Sequence, residues 1–148
     1  MVKMLLEKKS TMDHMGAMWN LQQENSASCA VKSILVVEGD SALRNLLGET
    51  LQDEMAYQVV LAPSGKAALN TLQTVTPQLF LLDSCLPDMN GLELVKRIRS
   101  MQVFEQTPVL LMSGSHVKVN TTGQYVKYLN KPFCLNELIK LIEESFVV

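Results

Sequence analysis

Three polar side chains in this 148-residue chain stand where short strand-like runs end. Asp83 follows Leu79-Phe80-Leu81-Leu82, Ser113 follows Thr107-Pro108-Val109-Leu110-Leu111-Met112, and Lys131 follows Val126-Lys127-Tyr128-Leu129-Asn130. A lone ionised carboxylate is costly to bury, so one placed where a strand core meets a loop needs a partner or has chemistry to do. The bland alternative is that Asp83 caps the loop that follows it. In a parallel α/β sheet, ligands sit outside the carboxyl ends of the strands. An aspartate, a hydroxyl and a lysine would then converge on one crevice.

The elements that must position them are legible from periodicity. From Ser33 onward, short β-rich runs alternate with helical spacing, the pattern of βαβ units and a parallel sheet. Strand one is Ile34-Leu35-Val36-Val37, an unbroken apolar run suited to burial on both faces. Its helix starts after Asp40 or Ser41, either of which can cap it, with Leu43, Leu46, Leu47 and Leu51 on one face. Strand two is read at residues 57–61, and helix two follows Pro63-Ser64-Gly65. Strand three ends at Asp83, where Pro87, Asp88, Asn90 and Gly91 supply turn chemistry. The next helix turns Leu92, Leu94, Val95 and Ile98 inward and Lys96, Arg97 and Arg99 to solvent. Strand four is residues 109–112, strand five residues 125–129, and the last helix places Leu135, Leu138, Ile139, Leu141 and Ile142 at helical spacing. Between strands four and five, Val117, Val119, Thr121, Thr122 and Gly123 lower helix propensity, so any helix there is brief.

Composition narrows the function. With 47% hydrophobic residues the chain can bury a core of one ordinary domain. A net charge of −2 lacks the concentrated basic face that nucleic acid requires, so no nucleic-acid partner is expected. No apolar stretch reaches membrane-spanning length, so no membrane partner is expected either. Cys29, Cys85 and Cys134 show no metal-ligand spacing and read as reduced thiols of a cytoplasmic protein. Residues 1–32 differ from the rest: Met1, Met4, Met12, Met15 and Met18 lie there with Trp19, Gly16 and a polar stretch at residues 22–28. That composition suits a poorly ordered N-terminal arm ahead of a folded domain over residues 33–148.

The set Ile34-Leu35-Val36-Val37-Glu38-Gly39-Asp40, Asp83 with Pro87-Asp88-Met89-Asn90-Gly91, Ser113, and Tyr128-Leu129-Asn130-Lys131-Pro132-Phe133 resembles the receiver domain of two-component response regulators. The resemblance spans residues 33–146, and the order and intervals of its pieces are more specific than any one of them. It implies a flavodoxin-like, doubly wound five-stranded parallel sheet in strand order 2-1-3-4-5, a (βα)5 three-layer sandwich. It implies that Asp83 is the phosphoacceptor, loaded from the phosphohistidine of a sensor histidine kinase or histidine phosphotransfer protein. Lys131 would neutralise phosphoryl oxygens and the Ser113 hydroxyl would bond one of them. Tyr128 would be the aromatic switch residue, and Lys131-Pro132 a cis peptide. A Mg2+ ion would be held by Glu38, Asp83 and the backbone carbonyl of Cys85.

One position departs from the family pattern. The acidic pair expected after strand one stands here as Glu38 and Gly39, so one direct carboxylate ligand is missing. Mg2+ is held through few carboxylates and keeps several waters, and losing one should weaken the site. Glu38 is long enough to reach inward, and Gly39 frees the backbone, so Asp40 could swing toward the ion instead of capping the helix. Two functional readings follow from the resemblance. The first is a stand-alone receiver in phosphorelay signal transduction, not an enzyme, with an unknown downstream protein. The second is a phosphorylation-independent pseudo-receiver acting as a protein-interaction module. An aspartate-nucleophile phosphatase is disfavoured, because Cys85 occupies the place of that family's second acid.

Termini not tied down by packing contribute little to stability. Removal of residues 1–31 should therefore shift unfolding free energy by no more than about 0.5 kcal/mol, read as a nearly unchanged melting temperature. A large drop, or a change of oligomeric state in light scattering, would instead give Met12, Met15, Met18 and Trp19 a docked, assembling role.

Overall fold

The computed structural model describes residues 31–114 and 125–146. The arm read over residues 1–32 lies outside them except for its last two residues, and so does the brief helix expected before strand five. Five strands are present among the described residues: β1 Ser33–Val37, β2 Gln58–Ala62, β3 Leu79–Asp83, β4 Val109–Ser113 and β5 Val126–Asn130. Between and after them lie α1 Ser41–Asp53, α2 Gly65–Thr71, α3 Gly91–Arg99, a 3-10 turn Gln102–Phe104, and α4 Leu135–Phe146. The strands pair in the order β2-β1-β3-β4-β5, all parallel. This is the doubly wound α/β fold.

Alternation along the strands decides which helix covers which face. Leu35, Val37, Phe80, Leu82, Val109 and Leu111 point to one side and pack with Ala68 of α2, Leu94, Val95 and Ile98 of α3, and Phe104. Ile34, Val36, Leu79, Leu81, Leu110 and Met112 point to the other, against Leu47 and Leu51 of α1 and Leu138 and Ile142 of α4. β3 and β4 are buried along their whole length, while β2 and β5 at the edges are half open. Unbroken apolar runs therefore mark the central strands, as burial on both faces demands.

Caps set the helix starts. Asp40 caps α1, its Oδ1 accepting from Ala42 N at 3.0 Å. Ser64 caps α2 and Asn90 caps α3, through Ala67 N at 3.1 Å and Glu93 N at 2.8 Å. Gly91 opens α3 under a steric demand: a Cβ there would lie 2.5 Å from the Asp83 carbonyl oxygen and 2.8 Å from Ser84 Cα. The loop over residues 84–90 closes on itself through Gly91 N to Ser84 O at 2.8 Å and Leu86 N to Met89 O at 3.2 Å. Its tip is fastened to α2, where Asp88 Oδ1 accepts from Gly65 N at 2.9 Å and Oδ2 from Lys66 N at 2.8 Å.

Several expectations shift. β2 and β5 begin one residue later than read, and Tyr57 instead meets the Phe146 ring at 5.6 Å. Leu46 is 50% exposed, because α1 is rotated to press Leu47, Thr50 and Leu51 inward. Arg99 is not a solvated charge. Its Nη1 donates to the carbonyls of Phe104 at 2.6 Å and Thr107 at 2.7 Å, and its Nη2 to that of Tyr125 at 3.3 Å. That one guanidinium bonds three carbonyls of the turn and the entry to β5, two of which, Phe104 and Tyr125, also accept a backbone N–H.

The two backbone bonds hold the Asp88 carboxyl below its ordinary value, with the charge of Lys66 adding to them. A depressed carboxylate stabilises the fold above its unfolded pKa of about 3.9, and that contribution is lost as pH falls through the folded value. Asp88→Asn should accordingly melt lower than the parent at neutral pH, with the gap closing in thermal melts taken below about pH 4.

Candidate functional site

The carboxyl ends of β1, β3 and β4 and the residue after β5 form one rim. β1 continues into Glu38, whose N–H bonds Ala62 O at 3.1 Å. Asp83 ends β3 opposite Met112, and Ser113 ends β4 opposite Asn130. Lys131 N–H donates to Ser113 O at 2.7 Å, and the Lys131-Pro132 peptide is cis. Glu38 is 2% exposed and Asp83 6%, while the Lys131 side chain is 27% exposed.

These residues meet through one ammonium group. Lys131 Nζ lies 2.9 Å from Glu38 Oε1 and 3.2 Å from Asp83 Oδ1. Asp83 Oδ1 also accepts from Cys85 N at 3.3 Å, and Glu38 Oε2 from Asp40 N at 3.1 Å. Arg44 Nη1 donates to the carbonyls of Glu38 at 2.9 Å and Gly39 at 3.4 Å, holding the turn that presents Glu38. Burial pushes the Glu38 carboxyl above its usual range; the Lys131 bond pulls it back and neighbouring Asp83 raises it again. For Lys131, burial opposes the charge, but Glu38 and Asp83 together outweigh it and hold the ammonium above its ordinary value. Burial and the neighbouring carboxylate thus set the Glu38 direction, and the two carboxylates set that of Lys131.

Of the residues singled out by sequence, Glu38, Asp83 and Lys131 are in contact, and Ser113 stands buried on the same rim. Tyr128 lies three residues back on β5, half-buried, opposite Leu111 on the face covered by α2 and α3. Asp40 has its carboxylate on the start of α1. The Cys85 thiol is exposed, and its backbone is what faces Asp83. Arg44 and Asp88 are the supporting residues that the sequence reading missed. Asp88 carried only a turn signal, and its partners lie 22 and 23 residues away.

A Mg2+ ion needs oxygen donors, of which it takes one or two from carboxylates and the rest from water or substrate. Glu38 and Asp83 converge closely enough to share Lys131 and so fit that limited demand. Gly39 adds no side-chain donor, and among the described residues no group of three or more acidic, histidine or cysteine side chains is arranged to hold a metal.

The sequence matches the response regulator receiver domain family over residues 34–143. An uncharacterised 14.6 kDa protein of Leptolyngbya boryana is 34% identical over 119 residues, 78% of this chain and 90% of that protein. Hybrid signal transduction histidine kinase D of Dictyostelium discoideum is 32% identical over 111 residues, 72% of this chain but only 7% of the kinase. Among solved structures, the chemotaxis response regulator CheY4 of Vibrio cholerae superposes with a TM-score of 0.72 at 25% identity, covering 79% of this chain and all of that one. The chain belongs to the response regulator receiver family of two-component phosphorelay signalling. Among the described residues, no helix is long and apolar enough to cross a membrane.

Gly39→Asp should tighten Mg2+ binding on the order of ten-fold, about 1.4 kcal/mol. The new Cβ would stand 3.1 Å from Pro87 Cδ, so the ring must give by a few tenths of an ångström. Mg2+ titrations followed by amide shifts of both proteins decide it; equal affinities would show that Glu38 and Asp83 already suffice.

Proposed function

We propose that Asp83 accepts one phosphoryl group from the phosphohistidine of a sensor histidine kinase or histidine phosphotransfer protein, and that the loaded domain signals to a downstream protein. The observation that carries this reading is the Lys131 ammonium 3.2 Å from Asp83 Oδ1 at the carboxyl ends of the central strands. Lys131 Nζ and Cys85 N–H both donate to Oδ1, so Oδ2 is the oxygen that attacks phosphorus. The new O–P bond forms as the P–N bond breaks, and its electron pair returns to the partner's imidazole. The product acyl phosphate is labile, which makes the signal erasable.

Lys131 offsets charge on the phosphoryl oxygens, and the buried Ser113 hydroxyl, one strand over, bonds one of them. Mg2+, held by Glu38, Asp83 and the Cys85 carbonyl, would supply a dication against the same oxygens. Phosphorylation adds charge and acceptor oxygens at the rim. Tyr128, half-buried on β5, would be the aromatic that follows a movement of Ser113. Free Cys85 and Cys134 suit a cytoplasmic site of action.

Intact mass after treatment with a small acyl-phosphate donor and Mg2+ should show one added phosphoryl group per chain, stable to acid and labile to base. Asp83→Asn should take none, and labelling equal to the parent would overturn the assignment. A parent that never labels would favour the phosphorylation-independent interaction module, and continuous consumption of the donor would favour a hydrolase.

A further inference from the structure

The loop that follows the phosphoacceptor is held at its far end by a carboxylate with no part in the chemistry above. Residues 84–90 leave β3 and return to α3, with Cys85 and Asn90 bridged in antiparallel fashion across the neck. At the neck, Cys85 N–H reaches Asp83 Oδ1. At the tip, Asp88 grips Gly65 N and Lys66 N with one oxygen each, at 2.9 and 2.8 Å. The residues beside Asp88 pack where neighbouring elements lack side chains. Pro87 Cδ is 3.1 Å from the position a Cβ of Gly39 would take, and Met89 Sδ 2.5 Å from that of Gly65. The loop is thus pressed between the turn after β1 and the start of α2, and Asp88 is its polar fastening.

We propose that Asp88 is a positioning residue for the phosphoacceptor: by fastening the loop tip to α2 it keeps the Cys85 N–H on Asp83 Oδ1 and Oδ2 turned to the donor. The proposal rests on Asp83 as acceptor for its consequence in rate, but not for its consequence in loop geometry. Asp88 touches neither the donor nor the phosphoryl group. It acts through a closed, hydrogen-bonded loop whose two ends are seven residues apart in sequence, Ser84 and Gly91, so freedom at the tip reaches the neck. Small misplacements of reacting groups slow transfer steeply.

The test separates this role from plain helix capping. α2 has a second side-chain cap, Ser64 Oγ accepting from Ala67 N at 3.1 Å, a bond that lies within the helix start and involves no loop residue. Full-length parent, Asp88→Ala, Asp88→Asn and Ser64→Ala are labelled with acetyl phosphate and Mg2+, and the Cys85 amide is followed by NMR shift and hydrogen exchange. Asp88→Ala should label about ten-fold more slowly or worse, still reach one group per chain, and expose the Cys85 amide to exchange. Asp88→Asn, with one acceptor oxygen left, should fall between. Ser64→Ala should lower the melting temperature while keeping the parent's labelling rate and Cys85 resonance. Equal slowing in Asp88→Ala and Ser64→Ala would reduce Asp88 to a helix cap and overturn the proposal, as would an unchanged rate and Cys85 amide in Asp88→Ala. If the parent takes no label, the acceptor reading fails on its own. The Cys85 amide then decides whether Asp88 holds the loop.

Discussion

Two buried carboxylates stand together here only because one ammonium is shared between them. Glu38 and Asp83 come from the ends of β1 and β3, 45 residues apart, and leaving either charged and unpaired at 2% or 6% exposure would drive it to protonate. Lys131 arrives from the far side of the sheet, after β5, and reaches both oxygens. The requirement propagates backwards. β1, β3 and β4 must be buried, parallel and in register for their ends to form one rim, and β5 must pair with β4 far enough for Lys131 N–H to close on Ser113 O.

That rim is supported from below and beside. Unbroken apolar strands let two separate clusters, one per sheet face, lock the three central strands. Connections are then tied by side chains acting on backbone: Arg44 on the turn after β1, Asp88 on α2, Arg99 on the carbonyls around the entry to β5. Each bonds backbone donors or acceptors of the connections between buried elements. Gly91 belongs to the same set of constraints, since the Asp83 carbonyl leaves it no room for a side chain.

The charge count at the rim is small and uneven. Glu38 and Asp83 against Lys131 leave a net formal charge of −1 at the rim (two carboxylates, one ammonium), where an acid in place of Gly39 would leave −2. A less negative rim attracts a dication less and an approaching phosphoryl anion more. A side chain at Gly39 would also meet Pro87, whose Cδ is 3.1 Å from the position of a Cβ there.

The alternation of apolar runs and helical spacing by itself determined the five strands, the four helices among the described residues, and the strand-end placement of Asp83, Ser113 and Lys131. The order of those residues also pointed to the receiver family, which the match over residues 34–143 shows. Such features are local, because side-chain period and caps act within a few residues of one another. Tertiary structure alone decided the rest. It placed Glu38 on Lys131 across 93 residues and Asp88 on α2 across 22 and 23, turned Leu46 outward, and drew Arg99 onto three carbonyls. These contacts have no period in the chain: an Asp or Arg in a polar stretch reads the same whether solvent or a distant backbone satisfies it. Only the folded arrangement, in which every buried donor and acceptor must find a partner, distinguishes the two.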